Sequence, residues 1–156
     1  MEVRGEIDPD LTIQSERLVE VADYWRMLRG ARNMPTRGDV DPMQMPRHLL
    51  PHLELIDVER QPKFRLRWRL IGTQVTTAVG RDATGKYFDE IYIGEDFATV
   101  SEPFEWVAKN AKPLRWYGTS GFVSKEWQAY EGVYLPLSGD DKTVDVILGA
   151  VQYIQR

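Results

Sequence analysis

The sequence predicts an α+β fold: a five-stranded antiparallel sheet with helices packed on one face, preceded by an N-terminal amphipathic helix. Three observations carry this reading. Residues 63–70 read Lys-Phe-Arg-Leu-Arg-Trp-Arg-Leu, with Phe64, Leu66, Trp68 and Leu70 on one parity and Lys63, Arg65, Arg67 and Arg69 on the other. Successive side chains of an extended chain point to opposite faces, so this is a strand with one apolar and one cationic face. Leu18, Val21, Ala22, Trp25 and Leu28 recur at spacings of three and four, the stripe of an amphipathic helix. Near the C-terminus two apolar runs flank the turn-forming cluster Ser138-Gly139-Asp140-Asp141-Lys142, which reads as a hairpin.

In chain order, residues 1–14 are polar around Asp8-Pro9-Asp10 and are predicted to be an irregular lead-in. Ser15 supplies an N-cap, Glu16 suits the positive helix end, Arg26 and Arg29 the negative end, and Gly30 the stop. Pro35, Pro42, Pro46 and Pro51 break residues 31–52 into short turns, with Asp41-Pro42 as cap and helix-opening proline. Leu53 to Val58 is the first strand, joined to the basic strand by a short connection. Gly72, Gly80, Gly85 and Gly94 divide residues 71–94 into brief helices and turns. Phe97, Val100, Phe104, Val107 and Ala111 then mark a longer helix, bent at Pro103. Strands follow over Leu114–Thr119, Trp127–Leu137 and Val144–Tyr153. The chain thus divides into residues 1–14 (lead-in), 15–52 (helix and proline-rich connector) and 53–156 (core), one domain in all.

A chain of 156 residues buries roughly 70% of its unfolded surface, enough for one core. The net charge of −4 lacks the basic surplus of a nucleic-acid binder, so no nucleic-acid partner is expected. The absence of cysteine removes disulfides, thiolate nucleophiles and cysteine-ligated metals. No apolar run approaches the roughly 18 residues of a membrane span, and the first residues lack a signal-peptide core. A cytoplasmic protein with no membrane partner is expected.

The element order, with Leu70-Ile71-Gly72-Thr73 and the segment Val79-Gly80-Arg81-Asp82-Ala83-Thr84-Gly85-Lys86-Tyr87-Phe88, resembles a PAS domain. Tyr24-Trp25-Arg26, Met34-Pro35, the proline-rich stretch from Asp41 to Pro51 and Gly80-Arg81-Asp82-x-Thr84-Gly85 are similar to a bacterial family of small stand-alone PAS-like proteins. The resemblance spans about residues 18–154. It implies a sensor of small molecules, redox state or light, or a module for dimerisation and docking in signalling. Members that bond a chromophore covalently use cysteine, which this chain lacks. Haem-binding members usually take an axial histidine from the pocket-facing helices, whereas His48 and His52 precede the first strand.

No catalytic residue and no metal ligand is assigned. His48 and His52 are four apart, but Pro51 lies between them and no His-Glu-x-x-His pattern is present. No serine-nucleophile motif occurs, and Gly80–Gly85 lacks the ending of a phosphate loop. Trp68, Phe104 and Trp116 lie on apolar parities or stripes and are the candidate lining of a ligand pocket between sheet and helix. Arg65, Arg67 and Arg69, with Lys63, are an anion-contact candidate, read chiefly as a solvated or helix-covered face at the sheet edge. Leu18, Val21, Trp25 and Leu28 are the candidate contact of a homodimer. The expected function is a non-enzymatic sensory module that binds a small molecule or a signalling partner and acts through protein association. The cofactor is not specified. The alternatives are a small cone-shaped α+β enzyme resembling nuclear-transport-factor-like isomerases and hydrolases, and a ligand-free scaffold.

Overall fold

A computed structural model of the chain describes residues 2–79, 83–121 and 128–154. The strands are β1 (Glu2–Asp8), β2 (Leu53–Glu59), β3 (Arg65–Ile71), β4 (Leu114–Gly121), β5 (Gln128–Leu137) and β6 (Val146–Ile154). The helices are α1 (Glu16–Arg29), α2 (Thr73–Val79), α3 (Phe88–Ile91) and α4 (Gly94–Asn110). The strands form one antiparallel sheet in the order β1-β4-β5-β6-β2-β3. The fold class is as expected, with six strands rather than five.

The additional strand is β1, in the segment expected to be irregular. It pairs with β4 along its whole length, from Glu2 opposite Gly121 to Asp8 opposite Arg115. Gly5 at its centre lowers strand propensity, and charged residues surround it. What holds β1 is tertiary context: an ideal Cβ on Gly5 would stand 2.0 Å from Trp116 Cζ2, so the indole occupies the space that the missing side chain leaves. Ile7 packs against the core from the same strand.

Helix α1 follows its sequence signals. Ser15 Oγ accepts from the Leu18 amide, and Gly30 takes a φ of 57° at the C-cap. Its stripe lies on β5 and β6, where Leu18, Val21, Ala22 and Trp25 are buried. The indole of Trp25 donates to the Pro136 carbonyl at 2.9 Å. The helix docks through Glu131, whose carboxylate accepts from the amides of Gln14 (2.9 Å) and Ser15 (2.8 Å) and from Arg115 Nε (2.6 Å). Arg115 also pairs with Asp8 at 3.3 Å, so one buried cluster ties β1, β4, β5 and the start of α1 together. The connector carries three 3-10 turns, at Arg37–Asp39, Pro42–Gln44 and Leu50–His52, and buries Met34, Val40, Met45 and Leu49.

Helices α3 and α4 cover the opposite face. Tyr134 of β5 meets Phe104 of α4, while Glu131, an odd number of residues away, faces α1. The basic strand lies at the sheet edge, as expected. A register shift between Leu55 and Ile56 puts Leu70 opposite Leu55 and Trp68 opposite Ile56, so Arg69 is the extra residue of a bulge. The alternation therefore holds for Leu66 and Trp68, both buried, and breaks after them. Leu70 turns to the other face, and Phe64 lies before the strand and is exposed.

Replacing Glu131 by Ala leaves the half-buried Arg115 without its carboxylate and frees two amides. The expected loss is about 3 kcal/mol, read from urea unfolding. Arg115→Ala should cost a similar amount, and the double variant less than the sum; additive losses would mean that the cluster is not one unit.

Candidate functional site

Between the sheet and α3–α4 the strands assemble a compartment that is unusually polar for a core. Strand register fixes its rows. Tyr134 of β5 stands opposite Gly149 of β6, and Gly149 opposite Glu54 of β2. One row further, Trp116 of β4 stands opposite Gly132; beyond that, Tyr130 stands opposite Tyr153. Glycine beside each large residue lets it lie along the sheet. An ideal Cβ on Gly149 would come within 2.8 Å of Glu54 Cγ and 3.2 Å of Tyr134 Cδ1, and one on Gly132 within 2.7 Å of the Tyr134 hydroxyl.

Aromatic rings close this space in a continuous chain. Ring centroids lie 4.2 Å apart for Trp68–Phe88, 5.1 Å for Phe88–Phe104 and 4.6 Å for Phe104–Tyr134, with Tyr92 at 6.0 Å from Trp68. Such tilted and edge-on pairs set the positive ring edge against the negative face. The indole N–H groups point to polar partners: Trp116 Nε1 donates to the Tyr130 hydroxyl at 2.8 Å and Trp68 Nε1 to Glu54 Oε2 at 3.3 Å.

Glu54 is the chemical centre. Its side chain is buried, and burial, opposed by the Trp68 hydrogen bond, pushes its carboxyl up from 4.5 to about 7. Burial also holds the hydroxyls of Tyr130, Tyr134 and Tyr153 protonated, helped by the neighbouring Glu54. On α4, Ser101 Oγ is buried and finds no hydrogen-bond partner among the described residues. Ser101 precedes Phe104 by three residues, the spacing that stacks side chains on one helix face.

The expected pocket residues Trp68, Phe104 and Trp116 are all buried at this interface; Trp68 and Phe104 join the ring chain, and Trp116 reaches the cluster through Tyr130. Glu54, Tyr130, Tyr134 and Ser101 were not singled out in the sequence. The motif Tyr130-Glu131-Gly132-Val133-Tyr134 carries a signal for two of them, since it puts two tyrosines on one face around a glycine. Glu54 had no such signal: an acid between leucines reads as solvent-facing until both faces of β2 prove covered.

The cationic face is held within the fold. Arg65 makes a bidentate pair with Asp89 (2.9 and 2.8 Å) and lies 3.4 Å from the Tyr87 ring centroid. Arg67 Nη2 and Arg69 Nε reach the two oxygens of Asp57 at 2.9 and 2.8 Å, and Tyr87 donates to Glu59. The outer edge of β3 is itself paired, since the Trp68 amide donates to the Lys86 carbonyl and the Gly85 amide to the Trp68 carbonyl. Leu18, Val21 and Trp25 are buried against the chain's own sheet and Leu28 packs partly on it, which leaves that stripe closed to a second copy. His48 pairs with Glu20 at 2.9 Å on the surface, while the buried His52 directs Nδ1 at the Val151 carbonyl at 3.1 Å. Gly80, Arg81, Asp82 and Trp127, all used in the sequence reading, lie outside the described residues.

Two open clefts accompany the compartment. One of about 400 Å³ lies between Arg60, Phe64 and the Glu105–Lys109 side of α4. The other, about 480 Å³, sits where the C-terminal ends of α1 and α4 meet the β5–β6 turn.

The PAS domain family model matches residues 13–152. No curated protein matches the chain. Among solved structures, a variant of the protein RsLOV superposes with a TM-score of 0.51 at 17% identity, over 70% of this chain and 66% of that one. An RNA-binding light-oxygen-voltage receptor superposes with a TM-score of 0.51 at 10% identity, over 97% of this chain and 38% of the receptor. The chain thus spans about two thirds of the first structure and well under half of the second, and at these identities the likeness is one of fold.

Because the folded-state value of Glu54 lies above that of the unfolded chain, the native state binds the extra proton between pH 4.5 and about 7. Stability is expected to fall as pH rises through that window, by about 3 kcal/mol if Glu54 acts alone, and to level off above it. Glu54→Gln should flatten this part of a urea-midpoint profile against pH; a slope that survives the substitution would assign it to other groups.

Proposed function

The chain belongs to the PAS domain family, and from that premise we propose a sensory module that holds a small molecule in the compartment around Glu54 and transmits its occupancy by associating with a partner protein. The observation that supports this most is the buried polar set itself. A carboxyl with a single indole donor, three tyrosine hydroxyls and a partnerless serine hydroxyl are costly in a core that serves packing alone. The same groups are ordinary in a binding site, where a few polar atoms converge within apolar walls.

A single group titrating near neutrality, among tyrosines that stay protonated, supports binding better than acid–base catalysis, which needs two groups with separated values. Cysteinyl photochemistry is not available to a chain without cysteine. Among the described residues no helix is long and apolar enough to cross a membrane, and we take the module to work in the cytoplasm. If it self-associates, the homodimer contact falls on the outer side of α1, where Val19 and Met27 are exposed.

Native mass spectrometry of gently purified protein should show a non-covalent small-molecule adduct that Glu54→Gln loses. Re-addition of that molecule at about 100 times its Kd should raise the thermal midpoint by roughly 5–10 °C. Absence of any adduct, together with no midpoint shift across a metabolite library, would favour a filled scaffold. For self-association, Met27→Glu should shift sedimentation towards monomer; an unchanged profile would place the contact elsewhere.

A further inference from the structure

The polar set resolves into a more specific recognition chemistry. Among the described residues the one hydrogen-bond partner of Glu54 is Trp68 Nε1, and no lysine, arginine or histidine pairs with it. Arg65, Arg67 and Arg69, the cations closest in sequence along the adjoining strand, are engaged by Asp57 and Asp89. A buried carboxylate without a cation is strongly disfavoured, and a buried charge normally brings its partner with it. Around Glu54 stand the rings of Trp68 beside it on β3 and of Tyr134 across Gly149, with Phe88, Tyr92 and Phe104 continuing the wall. The faces of such rings attract cations, most effectively where water is excluded.

Resting on the reading of the compartment as a ligand site, we propose that its ligand class is a small organic cation, an alkylammonium or quaternary ammonium compound whose charge is held between the Glu54 carboxylate and the Trp68 and Tyr134 rings. Tyr92 is the most accessible ring of the wall, at 8% against 1–3% for Trp68, Phe88, Phe104 and Tyr134. It follows the four-residue helix α3, so its displacement opens the site while leaving the sheet intact. Ser101 Oγ, without a partner in the described residues, supplies a hydroxyl for a polar group at the far end of such a ligand.

The charge state of Glu54 couples to binding. The titratable groups facing it are the hydroxyls of Tyr130 and Tyr134 on β5, Tyr153 on β6 and Tyr92 after α3, all neutral at physiological pH. A cation pairs with the ionised carboxyl, so binding below pH 7 must displace one proton.

The test titrates the full chain with choline and with its uncharged isostere 3,3-dimethylbutan-1-ol at pH 6, 7 and 8. Choline should bind at pH 8, weaken about tenfold by pH 6 with release of up to one proton, and outcompete the isostere at least tenfold. Glu54→Gln should lose the preference for charge; should that variant fail to fold, the pH profile and the isostere pair decide without it. Equal binding of the two probes, preference for the neutral one or pH-independent binding would overturn the cation assignment, as would failure of choline and of a tetramethylammonium and butylamine panel to bind. If a neutral molecule binds in their place, the ligand site stands and its class is wrong; if neither these probes nor a metabolite library bind, both readings fall.

Discussion

Trp116, Tyr134 and Glu54 can lie along the inner face of the sheet because Gly5, Gly132 and Gly149 have no side chains there. Everything else about the inner layer follows from that spacing. Large residues would otherwise stand upright on the pleat and push α4 outward. Lying down, they carry polar atoms into the middle of the domain: two indole N–H groups, three phenols and a carboxyl meet between sheet and helices. The aromatic chain from Trp68 to Tyr134 then seals the layer, and α3 and α4 close over it.

The outer face is organised by different chemistry. There a carboxylate is fully engaged, because Glu131 receives two amides and a guanidinium, and its role is to hold α1 and β1 in place. At the sheet edge, Arg65, Arg67 and Arg69 are matched by Asp57, Glu59 and Asp89. The contrast gives Glu54 its meaning. The other buried acids in the described residues, Asp57 and Glu131, each have a cation, and Glu54 has an indole alone.

Much of this was legible in the sequence wherever one periodicity dominated. The stripe of α1, its Ser15 and Gly30 caps, the alternation at Leu66 and Trp68, and the α4 pattern all appear where spacing placed them. What was not legible depended on neighbours distant in sequence. Strand β1 alternates in charge and polarity, yet its central Gly5 makes sense when Trp116 of β4 is seen above it. The bulge at Arg69 reverses Leu70 through pairing with β2, which no local pattern records. The acids that neutralise the arginines lie on β2 and α3. Glu54 looked solvent-facing because burial of a strand on both faces is a property of the sheet, with α1 and the connector on one side and α3–α4 on the other.

The central claim is that an unpaired carboxyl sits in a dry aromatic compartment. Carbon-13 NMR of the Glu54 side-chain carboxyl, assigned by comparison with Glu54→Gln, measures this directly across a pH titration. A midpoint near 7 is the result the compartment requires. A midpoint at the ordinary glutamate value of about 4.3 would mean that water or a cation already reaches Glu54, and would contradict the account.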